Sequence, residues 1–186
     1  MRFSGYLRPA CGLAVLTMGI LALAYERAQP KTDADACVII TKTPFEIKKS
    51  GHYCLGNSIV SSTGIVVAAA DVVLDLKRFC LIGPVDPGQI NYGVYVQPGS
   101  SRIAIRNGCI RGFFAGIRVL NEDDGPRRTS HISITKMTLQ ENTFRGGWID
   151  ADDVDFSENV VINTGGTTLY DNAYCAHRSM ATRVSG

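Results

Sequence analysis

The sequence predicts an all-β fold in which short strands stack as the coils of a solenoid, with about four recognisable coils between residues 64 and 165. Three observations carry this. Beyond Pro30 no segment keeps a 3.6-residue apolar stripe for three turns, which disfavours helices. Short apolar or alternating runs are instead separated by Gly, Asn, Asp and Pro, the punctuation of strands and turns. The runs also recur in a fixed order, so that each unit contributes three small strands. Such a unit cannot bury a hydrophobic face alone, and stacking has to supply the core.

The chain opens with Arg2 and Arg8, followed by the apolar run ACGLAVLTMGILALA over 10–24. A positive head before a short apolar body is the pattern of a secretory signal, here expected over residues 1–28, with cleavage after Ala24 or near Ala28. The run is interrupted by Glu26 and Arg27 before reaching the length of a membrane span, so a retained signal anchor is the weaker reading. The product is expected to be periplasmic or secreted, with no membrane partner after cleavage. The chain has 19 basic and 17 acidic side chains, of which three and one precede residue 29, leaving sixteen of each in the remainder. That balance removes the main support for a nucleic-acid partner, and the 45% apolar content excludes extended disorder.

Residues 29–63 read as a polar link and an N-terminal capping segment. The repeats follow. One set of runs starts with glycine, at Gly64, Gly93, Gly116 and Gly147. A second set carries the apolar pairs Val72/Leu74, Ile103/Ile105, Ile132/Ile134 and Val154/Phe156. A third, shorter set covers 79–82, 109–111, 137–139 and 160–162. In stacked coils, equivalent residues lie about 4.8 Å apart. Val72, Ile103, Ile132 and Val154 then form one inward ladder, and Leu74, Ile105, Ile134 and Phe156 form another two residues along. Val73, Ala104, Ser133 and Asp155 point outward. Asn107, Asn142, Asn159 and Asn163 fall at the bends, where their amides can pair with turn backbone. An antiparallel sandwich is the alternative, but two-residue hairpin signals are missing between the paired runs.

The segments DVVLDLKRFCLIG, GVYVQPGSSRIAIRNGCIRGFFAGIRVL and HISITKMTLQENTF resemble the repeats of right-handed parallel β-helix proteins of the pectate-lyase-like and NosD-like kind. The leading segment CVIITKTPFEIKKSGHYCLGNSI is similar to what often precedes such repeats. The resemblance, with the general crossover preference, implies a right-handed coil. It implies no single activity, because these repeats serve lyases, hydrolases, epimerases and surface proteins alike.

Beyond Cys11, five cysteines remain, so one cannot pair within the chain. Cys37 and Cys54 are placed to close the first coil with a bridge contributing about 2–4 kcal/mol. Cys80 and Cys109 share one slot on successive coils, both facing outward, and read either as a bridge or as an unbonded stack. His52, His131 and His177 are scattered and no CxxC accompanies them, so no metal site is expected from them.

The densest polar candidate is Arg118 with Glu122, Asp123 and Asp124, followed one coil later by Asp150, Asp152 and Asp153. Brought to one side, these carboxylates would suit Ca²⁺, while Arg118 or Arg127 would meet an acidic sugar. That is the chemistry of a uronate-glycan lyase, in which the cation acidifies a proton that a base removes. A solvated acidic loop over 121–130 is the ordinary alternative. The GHG and RIK segments of related hydrolases and a clear lyase arginine motif are missing. Tyr92, Tyr95, Phe113, Phe114 and Trp148 offer a sugar-stacking platform or corner packing, with one of the two adjacent phenylalanines expected at a corner and the other exposed. From Gly166 the periodicity weakens into a terminal coil or tail over 166–186. The last coil then needs cover from that segment, from another chain, or from coils beyond Gly186. The expected function is that of an exported, carbohydrate-associated or structural protein without catalysis, and its expected partner is a polysaccharide. The alternative is a polysaccharide lyase, and only that reading calls for Ca²⁺ as a cofactor.

Overall fold

The computed structural model describes residues 36–121 and 128–165. The expected signal segment, Glu122, Asp123, Asp124 and Arg127, and the tail with Cys175 lie outside the described residues. Among the described residues every regular element is a strand. In chain order these are β1 (Val38–Ile40), β2 (Phe45–Ile47), β3 (Gly51–Leu55), β4 (Ile59–Val60), β5 (Ile65–Val67), β6 (Val72–Asp75) and β7 (Cys80–Ile82). They continue as β8 (Tyr92–Val96), β9 (Ser101–Arg111), β10 (Ala115–Val119), β11 (Ser130–Gln140), β12 (Arg145–Ile149), β13 (Asp152–Ser157) and β14 (Val160–Ile162).

Two sheets form, and all their pairings are parallel. The first runs β1-β3-β6-β9-β11-β13, with β4, β7 and β14 beside it; the second runs β12-β10-β8-β5-β2. The chain visits the sheets in turn, and each visit adds one strand beside the previous one. The result is an all-β, β-helix-like solenoid. The stacking also extends below Gly64, because β2 continues the ladder of β5 and β3 that of β6.

The two inward ladders stand in the register the alternation predicts. Val72 pairs with Ile103, Ile103 with Ile132 and Ile132 with Val154. Leu74, Ile105, Ile134 and Phe156 follow two residues along. The first seven of these eight are buried and Phe156 is partly so. From the opposite sheet come Ile65, Val94 and Ile117, and then Val67, Val96 and Val119, all fully buried. In the middle coils the β-branched and leucine side chains thus stack largely on others of their kind. The outward positions Val73, Ala104 and Ser133 are half-buried and Asp155 is exposed.

Corners repeat as faithfully as strands. Asp71, Arg102, His131 and Asp153 each precede an inward residue and each has φ near 56°. Arg78, Asn107, Lys136 and Glu158 form a second left-handed column. In β9 and β11 this second corner is passed without breaking the pairing, so the second and third runs of those coils fuse into single eleven-residue strands. Bends are closed by asparagine. Asn159 accepts a hydrogen bond from the Met137 amide at 2.9 Å and donates to the Ile134 carbonyl at 2.7 Å.

The last glycine start is corrected by one residue. The structure aligns Ala115 with Arg145 and Ile117 with Gly147, so Gly146 is the counterpart of Gly116. A one-residue slip exchanges the two faces of a strand. Here it moves Gly147 into the inward column, where Phe156 lies 3.4 Å from the place its Cβ would occupy. The bulky end of one ladder fills the gap left by the other. The expectation that one of Phe113 and Phe114 is exposed is also corrected, since they are 1% and 4% exposed. They sit at a bend, where alternation lapses, and Phe144 of the next coil stacks on Phe114 at 4.7 Å.

Cys37–Cys54 is bonded as expected, and Cys80–Cys109 is bonded as well. The second bridge joins residues directly paired on neighbouring coils. Two bridges in a chain of this size suit an oxidising, extracellular or periplasmic environment.

Among the described residues Asp75 is the charged side chain that is buried, 3% exposed. Its carboxylate accepts from the Lys77 amide at 2.9 Å, from Arg106 at 3.1 Å and from the Asn107 side chain at 3.1 Å. Burial raises its pKa, but these three donors outweigh burial and hold it below the ordinary value of 3.8. A depressed folded pKa contributes stability that is complete above the unfolded value and is lost as pH falls through the folded one. Asp75→Asn should therefore cost about 1–3 kcal/mol at pH 7. Urea unfolding of both proteins from pH 7 to pH 2 should show the two curves converging below about pH 4. A constant gap over that range would rule out the linkage.

Candidate functional site

Side chains between the inward positions of the second sheet face solvent, and three of them fall in one row across neighbouring coils. Tyr95 on β8 pairs with Arg118 on β10, which pairs with Trp148 on β12. All three are half-buried. Tyr92 lies beside Tyr95, with ring centroids 5.7 Å apart. At the other end Phe144 meets Trp148 edge-on at 5.7 Å and stacks on Phe114.

Two guanidinium groups are set into this aromatic row. The Arg118 Cζ lies 3.4 Å from the Trp148 ring centroid and 5.5 Å from that of Tyr92. Arg145 lies 4.7 Å from Trp148 and 4.4 Å from Phe144. A guanidinium over an aromatic face gains from the ring quadrupole, more so where water is partly excluded. Burial pulls the Arg118 pKa down; the neighbouring Arg145 acts in the same direction, while Tyr92, Tyr95 and Asp150 act against it. The side chain remains a cation, as arginine does in proteins. Arg118 Nη1 and Arg145 Nε are shielded from solvent and have no hydrogen-bond partner among the described residues.

The acidic candidates are arranged differently. Asp150 follows β12; its amide donates to the Val119 carbonyl at 3.0 Å, and its charge is felt at Arg118 without closing to an ion pair. Asp152 is taken by Arg128, which donates to both of its oxygens, and this pairing lowers its pKa. Asp153 faces His131 at 3.4 Å. Among the described residues no three His, Cys, Asp or Glu side chains gather as a metal site would require. Thr129 is tied to the residues that follow β10. Its amide donates to Asn121 at 3.0 Å and its hydroxyl to the Leu120 carbonyl at 2.6 Å.

Of the residues singled out from the sequence, the structure brings together Arg118, Tyr92, Tyr95 and Trp148. Phe144 and Arg145 were missed. The signal was present in the alignment of FFAGIRV with TFRGGWI at a thirty-residue offset, which sets Phe144 under Phe114 and Trp148 under Arg118. Starting the last coil at Gly147 concealed it.

Fold and site together define a parallel-strand solenoid carrying an aromatic row with two stacked arginines on the outer face of one sheet. No family model, no curated protein and no solved structure matches this chain.

Proposed function

We propose that this is an exported right-handed parallel β-helix protein that binds a polysaccharide along the outer face of β8, β10 and β12 and does not cleave it. The observation that carries the reading is the row Tyr95, Arg118 and Trp148, with Tyr92 and Phe144 at its ends. The half-buried rings of Tyr92, Tyr95 and Trp148, set side by side on a rigid sheet, offer their uncovered parts to the apolar faces of sugar rings, and polar groups beside them fix orientation. Three coils at about 4.8 Å spacing span roughly 10 Å, enough for a short stretch of glycan. Export is supported by the charged head and apolar run at the amino terminus together with two disulfides. The lyase alternative gains no support from Asp152, whose carboxylate is committed to Arg128.

The test is binding of the full chain to a panel of soluble polysaccharides, followed by affinity electrophoresis and calorimetry. Replacing Trp148 or Tyr95 with Ala should weaken binding about tenfold each, the scale of one aromatic anchor. Bound glycan should be recovered at its original length, with Ca²⁺ present or omitted. Unsaturated ends would establish the lyase instead. If no polymer is retained and the two replacements change nothing, glycan binding at this face is wrong.

A further inference from the structure

The described arginines other than the exposed Arg78 fall into two groups. Arg102, Arg106, Arg111 and Arg128 each pair with a carboxylate of Asp71, Asp75, Glu141 and Asp152 respectively. Arg118 and Arg145 pair with none of the described carboxylates, although Asp150 is near enough for its charge to be felt at Arg118. These two are also the arginines stacked on rings.

Their placement is costly as it stands. Both stack on Trp148, at 3.4 and 4.7 Å from its centroid, so their charges are held close together, and the charge of Arg145 acts against that of Arg118. Each has a shielded N–H without an acceptor. A buried donor left unpaired costs free energy, and two like charges held together add to it. Stacking also fixes the planes of the two guanidiniums, so that little side-chain freedom remains to be lost when an oxyanion approaches.

Resting on the reading of this face as a glycan platform, we infer that its ligand is anionic: Arg118 and Arg145 form a paired clamp for a carboxylate or sulfate ester carried by the polysaccharide. The uncovered parts of the Tyr92, Tyr95 and Trp148 rings supply contact that any sugar could use. The two arginines supply the discrimination. An anion between them satisfies guanidinium N–H groups bidentately and neutralises the repulsion between the two cations, whereas a neutral sugar does neither.

The full chain is titrated with polygalacturonate, dextran sulfate, neutral dextran and polyuridylate at low and moderate salt. The expected result is that at least one of the two acidic polysaccharides binds about tenfold or more tighter than dextran, with affinity falling as salt rises. Whichever of the two binds more tightly identifies carboxylate or sulfate as the group. In the double variant R118Q/R145Q this preference should vanish, so that the acidic polymers bind no more tightly than dextran does to the same variant. R118K/R145K, which keeps both charges and loses the planar forks, should recover part of the preference, and so separates loss of charge from loss of fold. Circular dichroism of both variants checks the fold.

The inference is overturned if dextran binds as tightly as the acidic polymers. It is equally overturned if R118Q/R145Q retains the preference, which would assign it to cations elsewhere such as Arg78 and Lys136, or if polyuridylate binds more tightly than either acidic glycan. Equal binding of all glycans, still sensitive to Trp148→Ala, would remove the anion clamp and leave the platform standing. No binding by any glycan, with Trp148→Ala silent, would remove both.

Discussion

Gly64→Ala should abolish folding, or lower stability by more than about 4 kcal/mol, although it adds a single methyl group. A Cβ built on Gly64 would lie 2.0 Å from the Gly93 carbonyl oxygen and 2.2 Å from that of Tyr92. Both obstacles are backbone, so no rotamer change relieves the contact. The two coils are held by the register Ile65 to Val94 and Val67 to Val96, and their separation of about 4.8 Å is fixed by the parallel hydrogen bonds. Making room means breaking that ladder. Gly93 is confined in the same way, with Ile110 at 2.2 Å and the Gly116 carbonyl oxygen at 2.7 Å from its would-be Cβ. These glycines stand where backbones of successive coils pass too closely for any side chain. Gly88→Ala is the control: its Cβ would meet only Asp86 at 3.4 Å, and the change should stay within about 0.5 kcal/mol. Urea unfolding followed by circular dichroism measures both. A folded Gly64→Ala with an unfolding midpoint near that of the parent would show that the coils part far more readily than their pairing suggests.

Asn142→Ala should cost about 3–4 kcal/mol. Asn142 is 1% exposed and lies where β11 gives way to the next coil. Its side-chain oxygen accepts from the Phe113 amide at 3.1 Å, and its nitrogen donates to the Ile110 carbonyl at 3.3 Å. The alanine takes the acceptor from the buried Phe113 amide, removes the donor to the Ile110 carbonyl and opens a small void besides. Asn142→Asp separates the contributions. It keeps the acceptor for Phe113, loses the donor to Ile110 and adds a buried charge, so it should be destabilised at pH 7 and recover in part at pH 4 as the carboxyl protonates. Asn159, less buried, makes a similar pair of bonds one coil on, and Asn159→Ala should cost less. Thermal unfolding of the three variants at both pH values is the measurement. Equal stability of Asn142→Ala and the parent would mean that water reaches this bend and replaces the amide.

Much of the fold was legible before any coordinates because period-two alternation is a property of each strand alone. Val72, Leu74, Ile103, Ile105, Ile132 and Ile134 declare their inward face locally, and the turn residues between them declare where each strand stops. The asparagines at the bends were legible for the same reason, since few other side chains both accept and donate at so short a reach. The site was half legible. Arg118, Tyr92, Tyr95 and Trp148 stood out as residue types. Their assembly did not, because it depends on a one-residue choice between Gly146 and Gly147. Both glycines fit a coil start, and besides the match of FFAGIRV to TFRGGWI it is the packing of Phe156 against Gly147 that distinguishes them. Asp152 stood out as a candidate ligand, and its commitment to Arg128 depends on the register between β11 and β13.

From the chain's letters alone follow the strand periodicity, the repeat, the inward ladders and the bridge that closes the first coil. The register of the last coil, the bond between Cys80 and Cys109, the burial of both Phe113 and Phe114 and the stacking of two arginines on one tryptophan required the coils to be laid on one another. Alternation is encoded within a strand. The offset between one coil and the next is set by which arrangement lets backbone pass glycine, bulk meet gap, and rings find their partners across some thirty residues of intervening chain.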